Sequence, residues 1–184
     1  MAQINAFEHF DPAPDHPRAW LLNAAQAGGG PMFDFGCHRI EVLRNLFGEA
    51  TTVESHLARV SLEREVEDTG AAILRFRSGP LATLTVSHAT AEPQDTLHLF
   101  GSEGSIHIPR LNGAELRLRR EGQETIEHHP APENLHQPLI DQFVAAVLGG
   151  DDPAVDGEAG REVNRLLEEI YDTQTLVAQR CAGD

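Results

Sequence analysis

The chain has 184 residues, 40% hydrophobic and 23% charged, which fits one globular domain (1–184) with enough length to bury a core. Its formal net charge is −15 and its basic residues are all arginine. That balance excludes a basic nucleic-acid or anionic-membrane surface, and the lack of lysine excludes Schiff-base chemistry within the chain. No apolar run reaches membrane-spanning length and the N-terminus does not read as a secretory signal. Cys37 and Cys181 lack metal-type spacing. These features predict a cytoplasmic protein with reduced thiols.

In chain order, residues 2–8 alternate weakly and predict a first strand. Pro12, Pro14 and Pro17 then break regular structure. Residues 19–25 predict a turn or two of helix, and the run Gly28-Gly29-Gly30 follows. From residue 34 to 47, Ile40, Leu43 and Phe47 recur at helical spacing, and Gly48 reads as the stop. Residues 53–62 read as extended. Three hairpins follow, pairing 71–77 with 81–88, 96–100 with 105–108, and 115–119 with 124–128, around turns rich in glycine. The alternation places Leu74, Phe76, Leu84, Val86, Leu97, Leu99, Ile106, Ile108, Leu116 and Leu118 on one face. Arg75, Arg77, Thr83, Thr85, His98, His107, Arg117 and Arg119 fall on the other. Residues 138–148 and 157–177 return to helix. The order predicts an α+β, two-layer fold: an open, mainly antiparallel sheet with helices packed on one face.

Asp34 and His38 carry the chemistry. Four residues apart at a helix start, they share a face. A carboxylate there can orient an imidazole and suit it to general-base work. The bland alternative is a helix cap beside a satisfied histidine. Arg18 and Trp20 precede the glycine run and are candidates to border a substrate, against the plainer reading of a surface arginine and a core tryptophan. The glycine run is not a phosphate loop, because Pro31 removes one N–H and no lysine follows. Ten histidines raise a metal site, with Asp34 and His38 joined by His88, His128, His129 or His136, but no spacing supports one and no metal is expected.

The chain resembles the C-terminal domain of the Gfo/Idh/MocA oxidoreductases, the glucose–fructose oxidoreductase and inositol dehydrogenase family. The resemblance rests on several markers in order. They are Gly28-Gly29-Gly30 followed by Asp34, Gly36, His38 and Ile40-Glu41; Val66-Glu67-Asp68; Phe100-Gly101-Ser102-Glu103-Gly104-Ser105-Ile106; Gln142-Phe143-Val144-Ala145-Ala146-Val147; and Glu169-Ile170-Tyr171. Glu41 departs mildly, standing where the family often has aspartate.

The resemblance implies several things. Family members carry an N-terminal Rossmann domain that binds NAD or NADP and supplies a lysine. The C-terminal domain forms the substrate pocket and usually the oligomer interface. Asp34 and His38 would act with that lysine on a sugar or cyclitol hydroxyl. His38 would take the proton while hydride leaves for the nicotinamide, and Asp34 would hold the imidazole. No Rossmann half is seen here, so NAD or NADP is expected in the intact family enzyme and not on this chain alone, which is expected to be inactive as a dehydrogenase. Both a piece of a longer protein and a free-standing second domain remain open. Expected partners are a sugar or polyol, a separate Rossmann-domain chain, and a second copy through the open sheet face. Two other readings remain: a non-redox ligand-binding or partner subunit, and a small lyase or isomerase using Asp34 and His38.

Overall fold

The structure is a computed structural model that describes residues 1–150, 152–173 and 177–178. One sheet runs through it. Its strands are β1 (Ala2–His9), β2 (Ala50–Arg59), β3 (Thr69–Phe76), β4 (Leu81–Ser87), β5 (Ala89–Phe100), β6 (Gly104–Ile108), β7 (Glu115–Arg120), β8 (Gln123–His128) and the short β9 (Val177–Ala178). The helices are α1 (Ala24–Ala27), α2 (Cys37–Phe47), α3 (Gln137–Val147) and α4 (Gly157–Thr173). A 3-10 turn, Ala19–Leu22, precedes α1, and a π turn, Met32–Gly36, leads into α2. Cys181 and the predicted helical residues 174–176 lie outside the described residues.

The three predicted hairpins form, with β5 extended well upstream of its predicted start. Glu121 and Gly122 both take positive φ, 54° and 76°, between β7 and β8. That pair of left-handed residues matches a two-residue turn to the twist of its strands. The spatial order is β8-β7-β6-β5-β1-β4-β3-β2-β9. The first strand is therefore inserted in the middle, parallel to β4 and antiparallel to β5. Local alternation carries no trace of this pairing, because the partners are far apart in sequence.

The insertion places one residue at a special position. β4 and β5 are separated in sequence only by His88, yet they lie on opposite sides of β1. The chain steps across the end of β1 there. Phe10 N–H donates to His88 O at 2.9 Å, and His88 N–H donates to Asp68 O at 2.8 Å.

The predicted inner face is the inner face. Ile4, Leu74, Phe76, Leu84, Val86 and Leu97 are buried with Ile40 and Leu43 of α2 and Leu166, Leu167 and Ile170 of α4. The helical layer is narrower than expected. α2 packs on β4 and α4 on β2. Towards the β6–β8 end, Leu99, Ile106, Ile108, Leu116 and Leu118 are only half-buried. α3 forms where the pattern predicts it, but none of its residues is buried, so it does not complete the layer.

Candidate functional site

The glycine run is fixed by a buried carboxylate. Gly28, at φ 78°, ends α1. Glu67 is 2% exposed and accepts from Gly30 N–H at 2.9 Å, from Met32 N–H at 3.2 Å and from the Tyr171 hydroxyl at 2.6 Å. The fit demands glycine. A Cβ on Gly30 would lie 2.0 Å from the Glu67 carbonyl oxygen, and one on Gly29 would lie 2.0 Å from the Tyr171 hydroxyl. Burial first, and then the neighbouring Glu67 carboxylate, push the Tyr171 pKa above its ordinary value, so the hydroxyl keeps its proton and remains a donor. Buried Asp68 has a similar duty. It accepts from Val60, Ser61 and Leu62 N–H at 2.9, 2.9 and 2.8 Å, which pins the loop after β2.

The pinned turn sets the position of Asp34, which lies in the π turn with its N–H donating to Gly30 O at 3.1 Å. Its carboxylate Oδ2 receives Arg18 Nη2 at 3.0 Å and lies 3.4 Å from His88 Nε2. Arg64 fixes the ring behind it. Arg64 Nη1 is 3.1 Å from His88 Nδ1, and Arg64 Nη2 donates to Phe10 O at 2.9 Å. A guanidinium can only donate, so Nδ1 is the acceptor and the ring proton sits on Nε2, facing Asp34. At 3.4 Å this contact is long for a hydrogen bond, and Nε2 has no other partner. The ring is 1% exposed and boxed by Phe10 and Phe35, with centroids at 5.1 and 4.9 Å. The Arg18 guanidinium also lies 4.6 Å above the Phe10 ring.

The Asp34 pKa is lowered from its ordinary value. The His88 N–H is the largest influence, partial burial opposes it, and Arg18 and then His38 add to the lowering. Asp34 is therefore an ionised acceptor at neutral pH. Burial first, partly offset by neighbouring N–H groups, raises the Cys37 thiol, which makes it a poor nucleophile.

The expected residues are only partly brought together. Arg18 and Asp34 are in direct contact. His38 is exposed at the start of α2 and makes no hydrogen bond with Asp34 among the described residues. The cause is local. The i, i+4 stacking rule assumes an α-helical turn, whereas Asp34 sits in a wider π turn and its Oδ2 is engaged by Arg18 and faced by His88. Trp20 lies in the 3-10 turn that follows Arg18, half exposed at 48% rather than in the core. Sequence reasoning missed Arg64 as the group that orders His88, and Glu67 and Tyr171 as the latch on the glycine turn. The three had signals. A charged run containing Arg64 and Glu67 leads into β3, and Tyr171 closes the last amphipathic helix.

The N–H groups of Gly30 and Met32 already hold an internal carboxylate. Together with Pro31, this leaves the turn unfit for a dinucleotide pyrophosphate. Among the described residues, no group of three or more His, Cys, Asp or Glu is gathered to hold a metal ion. No helix among them is long and apolar enough to cross a membrane.

The family model for the GFO/IDH/MocA C-terminal domain matches residues 2–107, which include the glycine turn, Asp34, His38 and the Glu67 latch. The chain is 29% identical over 156 residues to 1,5-anhydro-D-fructose reductase of Ensifer adhaerens, covering 80% of this chain and 46% of that protein. It is 24% identical over 157 residues to D-apiose dehydrogenase of Paraburkholderia graminis, covering 75% and 41%. Among solved structures, it superposes on aldose-aldose oxidoreductase from Caulobacter crescentus, complexed with glycerol, with a TM-score of 0.79 at 26% identity. That match covers 94% of this chain and 52% of the other. The chain spans about half the length of the curated relatives it matches.

Proposed function

Because the chain belongs to the GFO/IDH/MocA oxidoreductases through their C-terminal domain, we propose that it forms the substrate-binding and oligomerisation half of an NAD(P)-dependent sugar or polyol oxidoreductase. The observation that carries the reading is the ionised Asp34, braced by Arg18 and His88, beside the exposed imidazole of His38. The names of the relatives support the substrate class. They include a reductase of anhydrofructose, an apiose dehydrogenase and a xylose dehydrogenase that uses NADP(+).

In this reading His38 takes the proton of the reacting hydroxyl, which its exposure allows. Asp34 supplies fixed negative charge that favours the resulting imidazolium. Arg18 and Trp20 border the bound sugar. His88 and Arg64 are positioning residues that hold Asp34 charged and aimed. A nicotinamide nucleotide, where bound, supplies redox capacity. In this reading it would be held by a Rossmann partner, and the chain alone would be inactive as a dehydrogenase.

The test is sugar-dependent reduction of NAD+ or NADP+ by the chain supplied together with a family nucleotide-binding half. His38→Ala is expected to lower turnover by about 10²-fold or more while the circular dichroism spectrum is unchanged. Turnover that persists at the wild-type rate in His38→Ala contradicts the assignment. Turnover of a sugar by the chain alone, without nucleotide, contradicts the redox reading and favours a lyase or isomerase.

A further inference from the structure

On the polar face of the sheet, β5 and β6 set two imidazoles side by side. His98 and His107 are register partners and both are half-buried. Their Nδ1 atoms lie 2.9 Å apart. His107 Nε2 lies 2.8 Å from Ser105 Oγ. The Phe100 ring stands beside both, with centroids 6.4 Å from His98 and 5.6 Å from His107. The two histidines are nine residues apart in sequence, which matches no ligand motif, and only the register of β5 on β6 brings them together.

Both rings suit metal ligation. Burial first, and then His107, lower the His98 pKa, so His98 is a neutral imidazole at neutral pH. The spacing selects a geometry. Two donors at right angles around a cation, with bonds of about 2.0–2.1 Å, lie about 2.9 Å apart, whereas tetrahedral donors lie about 3.4 Å apart. The observed 2.9 Å therefore matches adjacent positions of a tetragonal site, the preference of copper(II) and nickel(II). Histidine χ2 occupies a broad well, so small ring turns aim both lone pairs at one point. A ligating imidazole donates its other N–H to a fixed acceptor, and Ser105 Oγ is placed to receive that of His107.

The surrounding charge agrees. The chain carries a formal net charge of −15, which favours cations. Glu124 of β8 lies close enough to His107 for the two to interact electrostatically. Arg117 is the register partner of His107 on β7, and its guanidinium is engaged by Glu115, with Nε to Oε1 at 2.5 Å.

We propose that His98 and His107 form a bidentate site for a divalent transition cation of the copper(II) or nickel(II) class, held through both Nδ1 atoms with Ser105 ordering the His107 ring. The cation takes the place of the proton between the two nitrogens and ties β5 to β6. Its remaining positions point away from the sheet, towards water or a molecule that comes to lie on this face. The site does not rest on the sugar reading.

The test uses the full chain and the metal alone. Substoichiometric copper(II) is expected to broaden the ring NMR signals of His98 and His107 before those of the other histidines. Isothermal titration with nickel(II) is expected to show binding that His98→Gln or His107→Gln weakens by at least about tenfold, since each removes a ligand. His128→Ala with His129→Ala removes exposed imidazoles elsewhere and is expected to change the affinity by no more than about twofold. Nickel(II) binding unchanged in both glutamine variants overturns the site, as does a wild-type chain that binds neither metal. Should a glutamine variant fail to fold, the wild-type copper titration decides: broadening that begins at other histidines overturns the proposal.

Discussion

Asp34 is held ionised by its neighbours, and that has a sign. A carboxyl whose pKa is lowered in the folded state stabilises the fold above its unfolded pKa. The contribution is lost as pH falls through the folded value. Asp34 is lowered chiefly by His88, against burial, with help from Arg18. At Asp68 burial raises the pKa, but the N–H groups of Ser61, Leu62 and Val60, with Thr69, together outweigh it and leave it lowered. The chain is therefore expected to lose stability as pH falls below about 4. Asp34→Asn should flatten that dependence in urea unfolding curves recorded across the acid range, and a dependence unchanged by the substitution contradicts the placement of Asp34. Arg18→Ala should move the Asp34 carboxyl upward in a carbon-13 NMR titration. At the latch, Tyr171→Phe removes a hydroxyl donor from a buried carboxylate and is expected to cost about 2 kcal/mol. Gly30→Ala should cost more, because its Cβ would meet backbone 2.0 Å away. A Gly30→Ala variant as stable as wild type contradicts the turn. The sequence marked Asp34, Arg18 and the glycine run as a site. It did not reveal His88 or Arg64 as their supports, because these contacts depend on where the chain crosses β1.

Helices and hairpins follow their sequence patterns because their signals are local. Positive φ at Gly48 ends α2 where the glycine predicted it. The turn at Glu121-Gly122 closes the last hairpin. What the pattern does not carry is partnership. α3 has apolar residues at helical spacing, as α4 does, yet α3 buries nothing here and α4 buries Leu166, Leu167 and Ile170. The difference is measurable. Leu43 of α2 is fully buried, so Leu43→Ala is expected to cost about 2–5 kcal/mol. Phe143 of α3 is 63% exposed, so Phe143→Ser should change the chain's stability by no more than about 0.5 kcal/mol. Urea unfolding of both variants checks the contrast, and equal losses contradict the described packing. The π turn is a second departure. Nothing in residues 32–36 distinguishes it from an α turn, and it is why the expected Asp34–His38 hydrogen bond gives way to Arg18.

At the scale of the whole molecule, the insertion of β1 joins two antiparallel blocks into one sheet and creates the place where Asp34, His88 and Phe10 converge. The far face of the sheet is polar and open. It carries the His98–His107 pair, with Nδ1 atoms 2.9 Å apart, and the exposed Ile73 and Phe100. We propose that a second copy of the chain covers this face. Sedimentation analysis is expected to show a dimer that Ile73→Asp with Phe100→Asp dissociates, and a wild-type monomer at micromolar concentration contradicts the pairing. If the chain is the sugar-binding half proposed above, it should bind a sugar and leave the dinucleotide to a partner, and titration of the purified chain with NADH, NADPH and a panel of aldoses and cyclitols tests this. The expected result is binding of a neutral sugar or cyclitol with no heat from either nucleotide. Tight binding of a nicotinamide nucleotide to this chain alone would contradict that reading.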